Sequence, residues 1–252
     1  MKDFHTISKR DDKKILIGTY KGKPAIAKTI LGCNLDKTKK VLSTFSQISP
    51  LYSVLNEAKI MFDFKDEDNI VQIYALDLLN LTIIMKKYDM DLRYLIDNQN
   101  LSIHEKTLIA KDIVNGLSKL HDRNIMHSDL KCENIFCEYD YSQRRYKAYL
   151  GDFELSCIEF NSYQGGTEGY EAPEIENEGH TVETDIYALG KTLLELFCKT
   201  KIYNENINFN NFPEYAKEYN FGNQKLYKLV RRSIRKNPFE RPSLEAFVRC
   251  LS

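Results

Sequence analysis

One short segment of the sequence concentrates polar residues that could do chemistry together. In "HSDLKCENIF", residues 127–136, an aspartate, a lysine and an asparagine stand close to one another. A second aspartate, Asp152, follows in "GDFE". A carboxylate can orient a hydroxyl and accept its proton, a lysine can neutralise negative charge, and carboxylate and amide oxygens can hold magnesium. Each residue alone would be an ordinary surface or capping residue, but Asp129, Lys131, Asn134 and Asp152 together match this set.

Hydrophobic periodicity predicts the elements that position these residues. A helical pattern covers residues 103–123, just before the segment, and two short strands around a polar loop are predicted within residues 133–154. The segment would therefore be a loop between a helix and a strand, and Asp152 would end the next strand. Further helices are predicted at residues 91–99, 184–199, 224–236 and 243–251.

The first third of the chain is predicted to contain mainly strands, with one helix. Two β-rich runs, residues 14–20 and 24–30, flank the turn "KGK" and predict a hairpin. Residues 51–64 repeat their apolar positions with the helical period and predict a helix. Two more strands are predicted at residues 69–79 and 81–88.

The β-rich first third and the mostly helical remainder predict an α+β fold of two lobes. Residues 1–88 would form a small, mostly antiparallel β-sheet lobe with one main helix. Residues 89–252 would form a larger, mostly helical lobe. Ligand clefts favour boundaries between such lobes, so a binding site is expected there.

The composition argues against several classes of protein. Lys and Arg together number 36, as do Asp and Glu, so the zero net charge gives no reason to expect a nucleic-acid or anionic-membrane partner. The six cysteines show neither a CxxC pair nor zinc-ligand spacing, which fits a reducing compartment. Neither a signal-peptide core nor an apolar run of about 18 residues is present. We expect a soluble, cytoplasmic protein without a membrane span.

The motifs follow the order found in the eukaryotic protein kinase family. "HSDLKCEN" (127–134) and "GDFE" (151–154) precede "GTEGYEAPE" (166–174), "DIYALG" (185–190) and "NPFERP" (237–242). The kinase catalytic loop reads H-R-D-L-K-x-x-N, and the metal-binding motif reads D-F-G. Because several short motifs stand in family order and in the expected structural context, nearly the whole chain resembles a protein kinase. The resemblance implies the bilobal kinase fold.

The resemblance also implies roles for the polar residues. Asp129 would receive or orient the attacking hydroxyl, and Lys131 would neutralise charge on the transferred phosphoryl group. Asn134 and Asp152 would hold Mg²⁺ or Mn²⁺, with ATP as the phosphoryl donor. The partner would be a protein substrate with a Ser or Thr acceptor, because Lys131 and Thr167 match the serine/threonine branch of the family.

Three other residues match structural supports of the kinase helical lobe. Glu174 and Arg241 would form its buried ion pair, and Asp185 would hydrogen-bond the backbone of the catalytic loop.

Small-molecule phosphotransferases share the Asp–Asn–Asp core but differ after the metal motif. The motifs after Asp152 therefore argue against that alternative.

In the β-rich region, "AIAK" (25–28) resembles the V-A-I-K strand of kinases. Lys28 would hold the α- and β-phosphates, and its expected partner is Glu57 on the single helix. The two residues are 29 positions apart, a separation longer than usual by roughly ten on the kinase template. We place the additional residues around positions 32–50.

Contacts with the adenine side of the nucleotide are assigned in the same way. Met85 would be the gatekeeper, and the residues that follow it, including Lys87, would form the hinge whose backbone meets adenine. The resemblance also places Ile7, Ile15 and Ala27 against the nucleotide.

The charged segment "SKRDDKKI" (8–15) stands where the family has its glycine-rich phosphate lid, G-x-G-x-x-G-x-V. Ile15, 13 residues before Lys28, takes the valine position. The glycine positions are then held by Ser8, Arg10 and Lys13. Glycine lets a backbone approach phosphate closely, so its loss should weaken or alter ATP binding. The side-chain charge of Lys9, Arg10, Lys13 or Lys14 could offset this loss, and Asp11 and Asp12 would oppose it.

Two further positions depart from the family pattern. Ser128 replaces the arginine that normally reads a phosphate on the activation loop, so we expect activity without phosphorylation of that loop. Glu154 replaces the glycine of D-F-G, which would restrict a backbone flip and add negative charge near the metal.

These observations favour an ATP-dependent serine/threonine protein kinase. The alternative is a pseudokinase, a nucleotide-binding or protein-interaction scaffold with the kinase fold, and the departures at Ser128, Glu154 and the lid are its evidence. Drift without catalytic selection would be expected to erode at least one of four residues that are all retained: Lys28, Asp129, Asn134 and Asp152.

Overall fold

The computed structural model describes residues 3–10, 12–31, 45–158, 166–199, 207–216 and 220–252. The chain divides into two compact units, Met1–Tyr88 and Asp89–Ser252. Most of the insertion expected at residues 32–50 lies outside the described residues. No helix in the described part of the chain has the length and apolar character needed to cross a bilayer.

The first unit is built on a five-stranded sheet in the order β1-β2-β3-β5-β4, in which every neighbouring pair is antiparallel. One long helix, α1 (Phe45–Asp63), accompanies the sheet. The strands are β1 (His5–Lys9), β2 (Lys13–Tyr20), β3 (Lys23–Ile30), β4 (Ile73–Asp77) and β5 (Thr82–Lys86).

The hairpin predicted between β2 and β3 is confirmed. Lys21 and Gly22 make its turn with φ angles of 50° and 77°. Two successive residues with positive φ match the right-handed twist of the flanking strands, and glycine accepts this conformation without strain. The strand β1 adds to this hairpin, although its five side chains are all exposed. Pairing with β2 therefore decides the extended state of His5–Lys9.

The two faces of this sheet bury different side chains. Ala25 and Ala27 are fully buried with Ile84, and Leu16 and Phe4 pack against them. Side chains of a strand alternate between faces, so Lys28 lies on the opposite face from this cluster.

The second unit is mostly helical. Its helices are α2 (Leu92–Asn98), α3 (Ile103–His121), α4 (Ile175–Glu178), α5 (Val182–Cys198), α6 (Phe212–Ala216), α7 (Gln224–Ser233) and α8 (Leu244–Leu251). Two small antiparallel sheets join β6 (Met90–Asp91) to the hairpin of β8 (Ile135–Asp140) and β9 (Arg145–Leu150), and β7 (Ile125–Met126) to β10 (Cys157–Ile158).

Capping residues stabilise the N-termini of the two longest described helices of this unit. Ser102 and Glu105 form a capping box at α3, and Thr181 and Thr184 form one at α5. Each box satisfies backbone N–H groups that the first helical turn leaves without partners. The helix α5 is buried along most of its length and forms the centre of the unit, where α3 and α7 pack against it.

Candidate active site

Lys28 and Glu57 form a buried ion pair in the first unit. Lys28 Nζ lies 2.8 Å from Glu57 Oε2 and 3.1 Å from Oε1, and both side chains are buried. The strand β3 supplies the lysine and α1 the glutamate. Because two hydrogen bonds hold the ammonium group, its position on the sheet face is set before any ligand arrives.

The catalytic loop of the second unit is held by a carboxylate from α5. Asp185 accepts hydrogen bonds from the backbone N–H groups of His127 at 2.8 Å and Ser128 at 3.0 Å. Its Oδ2 also lies 2.8 Å from Nε2 of His121. Burial alone would raise the pKa of the Asp185 carboxyl, but the hydrogen bond with His121 and the charges around it hold that pKa below its usual range. Asp185 is therefore an ionised anchor for the loop.

Ser128 and Asp152 have unusual backbone conformations. Their φ angles are 67° and 59°, in the left-handed region that residues with a Cβ seldom adopt. Such conformations persist only where the surroundings impose them, and they cluster at functional sites. For Ser128 the imposing contact is the hydrogen bond from its N–H to Asp185.

Asp129 is surrounded by three side chains of the same unit. Thr167 donates its hydroxyl proton to Asp129 Oδ1 at 2.6 Å, and Lys131 Nζ lies 2.7 Å from Oδ2. Lys131 also donates to Thr167 Oγ1 at 2.5 Å. Asn134 donates its amide N–H to Oδ2 and to the backbone carbonyl of Asp129, both at 2.8 Å. These bonds fix the orientation of the carboxylate.

Asn134 and Asp152 are brought together by the β8–β9 hairpin. Ile135 pairs with Leu150, and the N–H of Gly151 donates to the carbonyl of Asn134 at 3.0 Å. The amide nitrogen of Asn134 points to Asp129, so its amide oxygen points away from that carboxylate. The two residues thus offer hard oxygen atoms at one end of the hairpin.

This donor set fits magnesium. Among the described residues no three His, Cys, Asp or Glu side chains gather into a group that would hold a metal by themselves. Magnesium in phosphoryl-transfer sites usually takes one or two protein oxygens, with phosphate and water completing its shell. Asn134 and Asp152 match that pattern.

The rings of Phe153 and His127 pack against each other next to these residues in the chain. Both are fully buried, and their ring centroids are 5.4 Å apart. Burial lowers the pKa of His127, so its imidazole is neutral and serves packing rather than charge.

The ion pair expected in the helical unit is also present. Arg241 donates from Nη1 and Nη2 to the two carboxylate oxygens of Glu174, at 2.5 and 2.8 Å. The pair is buried and ties the segment that precedes α4 to the loop before α8. Bidentate pairs of this kind are strong and geometrically specific.

The structure corrects the expectation for Ala27. That residue is fully buried among Ala25, Ile84 and Leu16, on the face of the sheet opposite Lys28. The residue two positions before Lys28, Ile26, shares the lysine's face because strand side chains alternate. Counting two positions back from Lys28 along the strand would have placed Ile26, rather than Ala27, on the face of Lys28.

Met85 and Ile15 lie on the face that carries Lys28. Ile15 stands directly opposite Lys28 in the β2–β3 ladder, and Met85 stands opposite Ile26 in the β3–β5 ladder. The N–H of Lys87 donates to the carbonyl of Pro24 at 3.3 Å, so this expected hinge donor is already engaged within the sheet.

The segment expected to be the phosphate lid forms the β1–β2 hairpin. The N–H of Arg10 donates to the carbonyl of Lys13 at 2.8 Å across the turn. Ser8 stands opposite Ile15. Ile7 lies at an irregularity of the ladder between Thr6 and Ser8 and is 56% exposed.

His121 supports the catalytic loop through Asp185, a contact that the sequence did not reveal. It ends α3 and reaches Asp185, 64 positions later in the chain. A histidine near a helix end carries no sequence signal for such a long-range contact.

Comparison with known proteins agrees with the fold. The chain matches the protein kinase domain family over residues 28–250. The chain therefore belongs to the protein kinase family, whose members generally use ATP and Mg²⁺.

Several relatives have names that describe protein kinases. A relative from Acanthamoeba polyphaga mimivirus, named as a putative serine/threonine-protein kinase, is 30% identical over 267 residues, covering 94% of this chain and 88% of the relative. A cell cycle serine/threonine-protein kinase of Saccharomyces cerevisiae is 28% identical over 86% of this chain and 31% of the relative. An L-type lectin-domain containing receptor kinase of Arabidopsis thaliana is 36% identical over 48% of this chain. That match spans only 19% of the receptor kinase.

Proposed function

We propose that this chain is an active serine/threonine protein kinase that transfers the γ-phosphate of ATP to a protein hydroxyl. The observation that carries the proposal is the arrangement around Asp129. Lys131, Thr167 and Asn134 all bond to its carboxylate, at 2.6 to 2.8 Å. These partners, from separate positions of the chain, hold the carboxylate in one orientation, as a group that orients a hydroxyl and accepts its proton requires.

The reaction follows from the positions of these groups. The substrate hydroxyl oxygen forms a bond to the γ-phosphorus while the bond from that phosphorus to the β–γ bridging oxygen breaks, and ADP leaves. Asp129 orients the hydroxyl and accepts its proton. Lys131, held next to Asp129, opposes the negative charge of the transferred group.

The remaining residues bind the donor. Lys28, fixed by Glu57, would contact the α- and β-phosphates, while Asn134 and Asp152 would hold the metal ion. Bound Mg²⁺ would neutralise charge on the phosphates and orient them for transfer. Glu154, at the glycine position of D-F-G, adds a carboxylate next to Asp152, which makes Mn²⁺ a second metal to test.

Serine or threonine is the proposed acceptor. Lys131 and Thr167 occupy the positions that mark the serine/threonine branch, and their side chains bond to one another and to Asp129. Relatives from mimivirus and yeast carry serine/threonine-protein kinase in their names. The partner would be a protein substrate, and the free cysteines of the described residues favour a reducing compartment such as the cytoplasm.

Phosphorylation of the activation loop is not part of the proposed mechanism. Ser128 stands where many kinases have the arginine that reads such a phosphate. Its hydroxyl lies 3.5 Å from the thiol of Cys157, so this position has no cation to bind a phosphoryl group. Treatment with a phosphatase should leave the turnover number unchanged, and a loss of activity without unfolding would contradict this part of the proposal.

Phosphate transfer from γ-labelled ATP tests the function directly. The purified chain is incubated with Mg²⁺ or Mn²⁺ and a generic basic protein, and Asp129→Asn gives the background. We expect label on serine or threonine of the acceptor in excess of that background. Label on tyrosine alone would contradict the acceptor assignment.

Absence of transfer above the Asp129→Asn background, with either metal, would contradict the active-kinase proposal. A thermal-unfolding series with ATP then separates the remaining possibilities. Stabilisation by ATP without transfer identifies a nucleotide-binding scaffold, and no stabilisation identifies a kinase fold that does not bind ATP.

A further inference from the structure

The β1–β2 hairpin carries four basic residues in the segment where kinases have a glycine-rich lid. They are Lys9, Arg10, Lys13 and Lys14. A glycine-rich lid contacts phosphates through its backbone, so this chain needs another source of stabilisation if it binds ATP. The register of the sheet distinguishes among the four side chains.

Lys13 shares a face with Lys28. Lys13 stands opposite Ile30, and Ile15 stands opposite Lys28. Residues directly opposite one another lie on the same face, and so do residues two apart along a strand. Lys13 and Lys28 are therefore diagonal neighbours, a relation that places their backbones about 7–8 Å apart. Both ammonium groups can reach one triphosphate.

The side chains of Lys9 and Lys14 do not share this face. Lys14 stands opposite Thr29 and Lys9 opposite Lys14, so both point to the side of the sheet where Leu16 and Ala27 are packed. Arg10 lies in the turn and is exposed.

We propose that Lys13 binds the phosphates of the nucleotide through its side chain and so replaces the backbone contacts of a glycine lid. This inference rests on the proposed ATP-dependent function. Lys28 is already paired with Glu57 at 2.8 Å, so a second ammonium group on the same face would add hydrogen-bond donors for the phosphates.

The matched variants Lys13→Gln and Lys14→Gln test the proposal, because they remove the same charge from neighbouring positions on opposite faces. Dissociation constants are measured by calorimetry for ATP and for adenosine, which lacks phosphates. We expect Lys13→Gln to weaken ATP binding by about tenfold, the effect of losing one charge-assisted contact. Binding of adenosine should be unchanged, and Lys14→Gln should leave both ligands unaffected.

Three results would overturn the inference. ATP binding by Lys13→Gln could match that of the unmodified chain, both variants could weaken ATP binding equally, or Lys13→Gln could weaken adenosine and ATP alike. Lys13→Arg, which keeps the charge, should retain most of the affinity. Thermal unfolding without nucleotide checks that the variants fold like the parent chain.

The binding measurement separates this inference from the proposed function. Lys13-dependent ATP binding without phosphate transfer would support the role of Lys13 and contradict the active-kinase proposal. Transfer activity combined with ATP binding that does not depend on Lys13 would support the kinase and contradict the role of Lys13. A chain that binds no ATP would contradict both.

Discussion

The β1–β2 hairpin and the catalytic loop at residues 127–134 are both short polar segments, but they are held in different ways. The side chains of the hairpin are mostly exposed, and its described contacts are largely backbone hydrogen bonds to neighbouring strands. The catalytic loop is mostly buried and is fixed by side chains from distant elements, among them Asp185 and Thr167. The family match, which begins at residue 28, includes the loop and leaves the hairpin outside.

This difference shows which parts of the site tolerate a change of residue. In the catalytic loop Lys131 and Asn134 bond to Asp129, and Thr167 bonds to both Asp129 and Lys131, so a substitution at one position would remove a partner of the others. In the hairpin the backbone forms the structure, and the side chains facing solvent can change without affecting the ladder. We infer that a backbone-based phosphate contact could be exchanged for a side-chain contact here, but not in the loop.

The largest expected effect is at the proposed metal ligands of the second unit. Asp152→Asn removes the only carboxylate among the two proposed metal ligands, and should lower the turnover number by about 10³-fold, because several kcal/mol of transition-state charge stabilisation is lost. Steady-state transfer assays with increasing Mg²⁺ check this. Lys9→Gln in the hairpin, which faces away from Lys28, should change the turnover number less than twofold.

The matched control is Asp122→Asn, a carboxylate change at an exposed position after α3. An equal loss of activity in Lys9→Gln and Asp152→Asn would remove the distinction between the two segments.

The next effect concerns stability. Glu174→Gln leaves the Arg241 guanidinium buried without its counter-charge, so the free energy of unfolding should fall by about 3 kcal/mol. Denaturation in urea measures it. Glu176→Gln, an exposed carboxylate two residues later, should change stability by less than about 0.5 kcal/mol. Similar midpoints for the two variants would mean that the buried pair does not support the catalytic unit.

A smaller effect is expected from the hydroxyl that holds Asp129. Thr167→Val removes the donor to Asp129 and the acceptor for Lys131, and should lower the turnover number by about tenfold with little change in ATP affinity. Thr167→Ser keeps the hydroxyl and should retain most of the activity. If the valine and serine variants lose activity to the same extent, Thr167 acts through its methyl group or the local fold rather than by positioning the carboxylate.

The smallest effect is a pH dependence of stability from Lys191, which donates to the carbonyl of Ile207 within the catalytic unit. Burial lowers the pKa of Lys191 to about 8. The unfolded chain therefore binds more protons than the folded chain between this pKa and the ordinary lysine value, and stability from this group rises with pH in that window. Below about pH 8 the ammonium is charged in both states and the burial penalty is fully present.

Lys191→Met removes this dependence. Between pH 8 and pH 9 the free energy of unfolding of the unmodified chain should rise by about 1 kcal/mol relative to the variant. Urea denaturation at the two pH values measures the difference. A parallel change in both proteins would contradict this account of Lys191.

Long, strongly periodic elements were predictable from the sequence. The helix predicted at 103–123 is observed at Ile103–His121, and that predicted at 184–199 is observed at Val182–Cys198. Both bury an apolar stripe and begin at a capping box, which are local properties. The strand β1 was not predicted from its pattern, because its exposed residues show no apolar alternation and pairing with β2 decides its state.

Some contacts within the candidate site were also predictable from the sequence. The ion pair of Lys28 with Glu57 followed from the motif resemblance, although 29 residues separate its members. The motif resemblance was a poorer guide to which face of the sheet each strand side chain lies on. Ala27 was assigned to the nucleotide, but it packs in the cluster on the other side of the sheet. A shift of one position in a strand changes the face, so motif position alone does not place a side chain.

The sequence by itself determined the types and order of the reactive residues and the approximate extent of the elements that hold them, because period and capping are local. Only the tertiary structure decided which groups meet. Asp185 reaches the backbone of His127 across 58 positions, and Thr167 reaches Asp129 across 38. It also decided that Lys13, rather than Lys14, shares a face with Lys28, because a ladder's register depends on how separate strands pair.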